Sequence, residues 1–190
     1  MTRPLTHRLL NVWRRFRRAD EGSTLAEFAV LTPILTTLLL GGVDIARFAF
    51  LQQKLDRAAS AVGDMVSQGQ TITTAQINDI FSAVAPVIQP FPTAPGVVIV
   101  TSVGASGGAP ATINWQRSGG GNLAATSAIG LPGSPPALPT GFVVRDGETV
   151  IISESFYDFS PLFLPDIVVP RRVYHRVFYR PRLGSLNTIS

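Results

Sequence analysis

The chain has 190 residues, 45% of them hydrophobic, and a formal net charge of +4. Its mean hydropathy is +0.27 and its pI is near 10.3. That length accommodates one modest domain and an extra element rather than two large domains, and the absence of cysteine excludes a disulfide framework, a thiolate metal site and a cysteine nucleophile.

Residues 1–22 read as a basic leader. Six arginines there, set against Asp20 and Glu21, account for the whole net charge, because residues 23–190 hold ten basic and ten acidic side chains. A body without basic excess lacks the electrostatic footprint of a nucleic-acid-binding protein. A basic leader before an apolar run fits an N-terminus kept on the cytoplasmic side by the positive-inside rule.

Residues 23–46 are predicted to form a transmembrane helix. Between Ser23 and Ala46 only Glu27 and Asp44 are charged, and a helix of about 20 residues crosses a bilayer. Pro33 lies inside the run, where a kink or a locally melted turn is expected. Phe28, Leu31, Pro33, Leu35 and Leu38 are candidates for helix packing. Gly41 and Gly42 could let neighbouring helices approach closely. The pattern then continues as an amphipathic helix, with Phe48, Leu51, Leu55, Ala58, Val62 and Val66 at spacings of three and four.

Residues 47–95 hold that continuation and a short second helix. A break is expected at Gly69. Thr74 can cap the second helix, Ile77, Ile80, Phe81 and Val84 form its apolar face, and Pro86, Pro90, Pro92 and Pro95 end it. From Gly96 to residue 190 the composition turns to β, with strands expected at 97–103, 111–117, 148–157 and 171–180. Ten of the 24 residues from Ser118 to Gly141 are Gly or Pro. Such a loop is too long for a hairpin and is expected to project from the sheet. The fold class is therefore α+β: a long N-terminal transmembrane helix whose amphipathic continuation packs on a small antiparallel β-sheet.

No secretory cleavage signal follows the apolar run. The clean small-residue junction lies before it, at Gly22–Ser23. Cleavage there would remove the leader and leave the apolar segment in the mature protein. Glu27 would then be its fifth residue. A carboxylate at such a depth marks a functional candidate, and the new Ser23 amine, on the same chain or a neighbour, is its natural partner. Thr24 and Glu27 also fit a capping box, with Thr24 as the N-cap. Asp44 and Arg47 form a possible membrane-edge pair, local by default and inter-subunit in the sharper reading.

Glycine before the junction, a small residue after it, Glu at the fifth position and a long apolar run make up the class III signal of type IV pilin-like proteins. With GSTLAEFAVLTPIL (22–35), the helical run of 44–68, Trp115, YDFSPLF (157–163) and YRPRL (179–183), the chain resembles the TadE family of pilin-like proteins from bacterial Tad (tight adherence) pilus systems. The resemblance implies a minor pilin or pseudopilin of the inner membrane with a periplasmic C-terminal domain. It implies a prepilin peptidase and other Tad pilins and assembly proteins as partners, with the lipid bilayer as surroundings. It carries over Gly22 and Ser23 as the scissile pair and Glu27 as the assembly carboxylate, and it implies no enzymatic role and no cofactor.

Other motifs have simpler explanations. Gly104-Ala105-Ser106-Gly107-Gly108 matches the nucleophile-elbow pattern, with His175 downstream, but the required helix after the serine is replaced by Pro110 and a strand. A Gly/Ser hairpin turn accounts for it. Ser118–Asn122 is Gly-rich without the Lys-Ser/Thr of a phosphate loop. His175 is alone outside the leader, so no paired-histidine metal spacing exists. In RRVYHRVFYRPR, Val173, His175, Val177 and Tyr179 share one strand face, and Arg172, Tyr174, Arg176, Phe178 and Arg180 form a basic outer face rather than a nucleic-acid platform. The rival to the pilin-like reading is an uncleaved, single-pass anchored periplasmic binding or sensing domain.

Overall fold

The computed structural model describes residues 20–190, with side chains from Thr24 onward. The leader thus lies largely outside the described residues, and at Gly22 and Ser23 only the backbone is described. The first described element is one unbroken 48-residue helix, α1 (Asp20–Ser67). Pro33 sits inside it without ending it. The expected melted turn is therefore absent, and Thr37 Oγ1 donates to the Pro33 carbonyl at 2.8 Å on the helix surface. Because α1 begins four residues ahead of Thr24, Thr24 is an interior helical residue and not an N-cap.

Two short helices follow. In α2 (Thr74–Ser82) the N-cap is Thr73, one residue before the expected Thr74. Its hydroxyl accepts from the Gln76 N–H, and the Gln76 side chain accepts from the Thr73 N–H, a complete capping box. Pro86 does not end the helical region but lies in the first turn of α3 (Val84–Ile88), where a missing N–H costs no intrahelical bond. Ile77, Phe81, Val84 and Ile88 turn inward against α1 and the sheet.

The four strands are β1 (Gly96–Gly104), β2 (Thr112–Gly119), β3 (Thr149–Phe159) and β4 (Arg171–Tyr179), all within two residues of the predicted ends. They form one sheet in the order β2-β1-β3-β4 with antiparallel neighbours. Strands β2 and β3 flank β1 and so run parallel to each other. Their connection must cross the sheet and return to the opposite end. The long loop makes that crossing. It does not project. Ile129 is fully buried against Val103, Ile113, Val150 and Ile152, with Leu138 and Phe142 beside it.

The sheet is thus covered on both faces, which explains why nearly every residue of β1 and β3 is buried. The second half of α1 covers the other face through Leu51, Leu55, Ala58, Val62 and Val66. Helix and sheet approach closely where small residues meet. Gly63 lies beside Ser153, and a Cβ placed on it would lie 2.6 Å from the Tyr179 ring. Ser155 Oγ donates to the Leu55 carbonyl at 3.3 Å. The C-terminal segment closes the end of the sheet distant from the start of α1. The Leu186 carbonyl accepts from Trp115 Nε1 at 2.8 Å and from Ser102 Oγ at 2.9 Å, and Ile189 forms a bridge to Ile72.

Candidate assembly and membrane-boundary site

From Thr24 to Leu39 every side chain of α1 is exposed, although most are apolar. Phe28 and Leu38 are 65% and 67% exposed. Leu31 and Leu35 belong to the same bare sleeve. Among the described residues this is the one helix long and apolar enough, by length and composition, to cross a membrane. Monomers stable in water rarely expose so large a contiguous apolar surface on one element. Glu27 stands on the exposed surface near the start of the sleeve, one turn beyond Ser23 and on the same side of the helix.

The sleeve ends where the folded domain first touches α1. Gly41 is buried, and a Cβ there would meet Leu164 of the same chain at 3.5 Å, whereas Gly42 faces open space. The closeness that Gly41 permits is therefore used within the chain, by the loop after β3. Asp44 is the centre of that contact. Its side chain is completely buried, and its carboxylate accepts the Leu162, Phe163 and Leu164 backbone N–H groups at 2.7, 3.0 and 2.9 Å. Arg47 Nη1 stands 3.8 Å from Asp44 Oδ1. The pair is thus within the chain, but its carboxylate is committed first to the loop backbone. Three charge-assisted bonds from consecutive amides hold the loop far more firmly than one long ion pair. Sequence reading named Asp44 and missed this role, because its donors lie about 120 residues away.

Aromatic packing surrounds the boundary. Phe48 meets Phe159 edge-on at 5.2 Å, and the Arg171 guanidinium lies over Phe48 at 4.6 Å. Arg47 lies over Phe91 at 5.9 Å, and the Tyr157 hydroxyl donates to the Pro92 carbonyl at 3.1 Å. Arg47, Phe91, Tyr157, Asp158 and Ser160 line a small cavity of about 190 Å³. Burial pushes the Tyr157 hydroxyl above its ordinary pKa.

A second buried carboxyl went unnoticed in the sequence. Glu154 lies fully buried on the sheet face that the crossing loop covers. Its oxygens accept from Ser127 Oγ, from the Ala128 N–H at 3.0 Å and from the Tyr174 hydroxyl at 2.8 Å. It ties the crossing loop and β4 to β3. Burial, then the bond to Glu154, raises the pKa of Tyr174 well above its ordinary value. The only available signal was a charge in an otherwise apolar strand alternation. Farther along the same face, at its exposed end, Arg172 makes a two-pronged ion pair with Asp158, at 2.6 and 2.8 Å, which holds the Asp158 pKa below its usual value.

The nucleophile-elbow match resolves as a turn. Ser106 is exposed in the β1–β2 hairpin, where Gly107 and Gly108 have φ of +65° and +73°, a backbone that favours glycine. His175 pairs with Ser155, which in turn is opposite Val98. Six residues of β1 then separate that level from Gly104, about 20 Å at strand rise, so serine and histidine do not meet.

A helix with a bare apolar first half and a second half packed on an antiparallel sheet defines an α+β protein whose N-terminal helix is long and apolar enough to cross a membrane. The model of the TadE-like protein family matches residues 22–64. The match supports the resemblance read from the N-terminal motif over Gly22 and most of α1. The match begins at the proposed scissile glycine and takes in Glu27, Asp44 and Arg47; the sheet lies beyond it. Neither a search of curated proteins nor one of solved structures returns a match.

Proposed function

We propose that this chain is a TadE-type component of Tad pilus assembly, cut by a prepilin peptidase between Gly22 and Ser23 and built into its complex through the N-terminal helix. The observation that carries the reading is the bare sleeve Thr24–Leu39, continuous with a helix that forms the core of the folded domain. A helix divided in this way can sit in a bilayer and later be transferred to a bundle of like helices without unfolding the domain. In either place its apolar surface is covered.

In this reading the N-terminus faces the cytoplasm, the span lies in the bacterial inner membrane, and the α+β domain is periplasmic. Cleavage leaves a Ser23 amine one turn from Glu27. On insertion next to another subunit, the Glu27 carboxylate can meet that subunit's amine, which fixes the axial register as the apolar faces pack. Phe28, Leu31, Leu35 and Leu38 supply the packing surface. The chain works by protein–protein packing and carries out no catalysis.

The test is the N-terminus of the membrane-extracted chain, read by mass spectrometry after expression with and without a prepilin peptidase. The expected result is a mature chain that begins at Ser23 only when the peptidase is present. A leader-bearing chain under both conditions would overturn the proposal and leave a permanently anchored binding or sensing domain.

A further inference from the structure

The loop between β3 and β4, residues 160–170, is unusual for a segment exposed to water. Leu162, Phe163, Ile167 and Val169 are 63%, 44%, 60% and 61% exposed, while Val168 between them packs into the core. Elsewhere on the folded domain, exposed large apolar residues such as Leu131, Val143 and Leu183 stand singly, which is ordinary for a protein surface. Four within eight residues are not. Asp44 fixes this loop to α1 through three backbone amides, at the level where the sleeve ends.

The depth of the helix makes the position meaningful. Counting from Phe28, the first apolar residue after Glu27, to the last exposed sleeve residue Leu39 gives twelve residues. At about 1.5 Å each they span roughly 18 Å, well short of a hydrocarbon core of about 30 Å. Twenty residues from Phe28 reach Arg47. A bilayer that covers the sleeve therefore extends to the level of Asp44, and Val43 and Ile45 continue the exposed apolar surface there. Arg47 and Arg171 flank the loop, with their guanidinium groups over Phe91 and Phe48, and Asp166 is its one carboxylate. Apolar side chains bounded by arginine suit the boundary between acyl chains and anionic headgroups.

We propose that loop 160–170 is a second membrane contact, seated in the outer interface of the bilayer beside the emerging helix. With the helix alone, the domain could swing about its exit point. With the loop inserted, two points fix its tilt and depth, so that the domain leaves the membrane in one orientation. The inference rests on the reading of α1 as a membrane span, and the experiment separates the two.

The chain has no native cysteine, so single substitutions Leu35→Cys, Phe163→Cys, Ile167→Cys and Arg145→Cys can each carry an environment-sensitive fluorophore. The full chain is reconstituted in vesicles of phosphatidylethanolamine and phosphatidylglycerol. Quenching by nitroxides at a shallow or a deep acyl position is compared with quenching by aqueous iodide. Phe163 and Ile167, about 5–10 Å below the headgroups, should lose most of their emission to the shallow nitroxide and resist iodide. Leu35 should respond to the deep nitroxide, and Arg145, at the distal end, to iodide alone. If Leu35 is lipid-quenched while Phe163 and Ile167 answer only to iodide, the loop lies in water and the proposal is wrong. Protection from both quenchers would also overturn it, since protein and not lipid would then cover the loop. Access of iodide to Leu35 would instead remove the membrane-span reading, and this proposal with it.

Discussion

The two halves of α1 share one unbroken helical backbone, yet they occupy opposite circumstances. From Thr24 to Leu39 the side chains stand exposed, away from the folded domain. From Leu51 to Val66 the inward face is buried against the sheet and the short helices. The difference lies in what faces each half, not in helical propensity. The second half has polar residues such as Asp56 and Arg57 outside and an apolar sheet inside, so its burial is internal and stabilises the fold. The first half is apolar all round, so its burial must come from a bilayer or from other helices. Asp44 stands between them and fastens the domain to the helix at the point of change.

Substitutions can break this comparison or sharpen it. The largest effect is expected in the covered half. Leu55→Ala, which empties a site at 3% exposure, should cost about 2–5 kcal/mol, read from urea unfolding of the full chain in detergent. Nearly as large, Glu154→Ala should cost about 3 kcal/mol by leaving Ser127, Ala128 and Tyr174 without their acceptor. Hydrogen exchange in the crossing loop should rise in the same variant, whereas exchange in α1 should change less. Gly63→Val should cost about 1–3 kcal/mol by overpacking against Tyr179 and Ser153, and a thermal melt in detergent would detect it.

In the bare half the same chemistry should have a different consequence. Leu35→Ala should move unfolding of the domain by less than about 0.5 kcal/mol, while weakening recovery of the chain with its pilus partners in a pull-down from membranes. A loss of domain stability as large as that of Leu55→Ala would contradict the division of the helix. The smallest effect belongs to Asp158→Asn. The Asp158 pKa is lowered in the folded state, so its contribution is present above the unfolded value near 4 and fades as pH falls through the folded one. The variant should be slightly less stable than the parent at pH 7 and indistinguishable from it once both folded and unfolded carboxyls are protonated. Both partners are substantially exposed, so the difference in unfolding midpoint should be small and reduced by salt.

Periodicity revealed the parts whose chemistry is local. The 3.6-residue spacing of Leu51, Leu55, Ala58 and Val62 and the alternation through Val173, His175, Val177 and Tyr179 follow from backbone geometry, which neighbouring residues report directly. The uncharged run after Glu27 likewise announces its need for an apolar environment. Local signals blurred where two adjacent residues could serve equally well. Thr73 rather than Thr74 caps α2 because Gln76 is then placed to return the hydrogen bond. Pro86 can begin a helix as readily as end one.

What only the tertiary structure decided are the pairings between distant segments. Placing β1 between β2 and β3 turned the Gly/Pro-rich loop from a projection into a cover for the sheet. The same folding brought Ser127 and Tyr174 to Glu154, and three amides of the β3–β4 loop to Asp44. Sequence alone determined that the apolar helix faces and strands must be buried, because transfer of apolar side chains from water depends on the residues themselves. It could not determine against what, because a carboxylate's hydrogen-bond donors are chosen by the path of the chain, and that path is set only when the whole core packs.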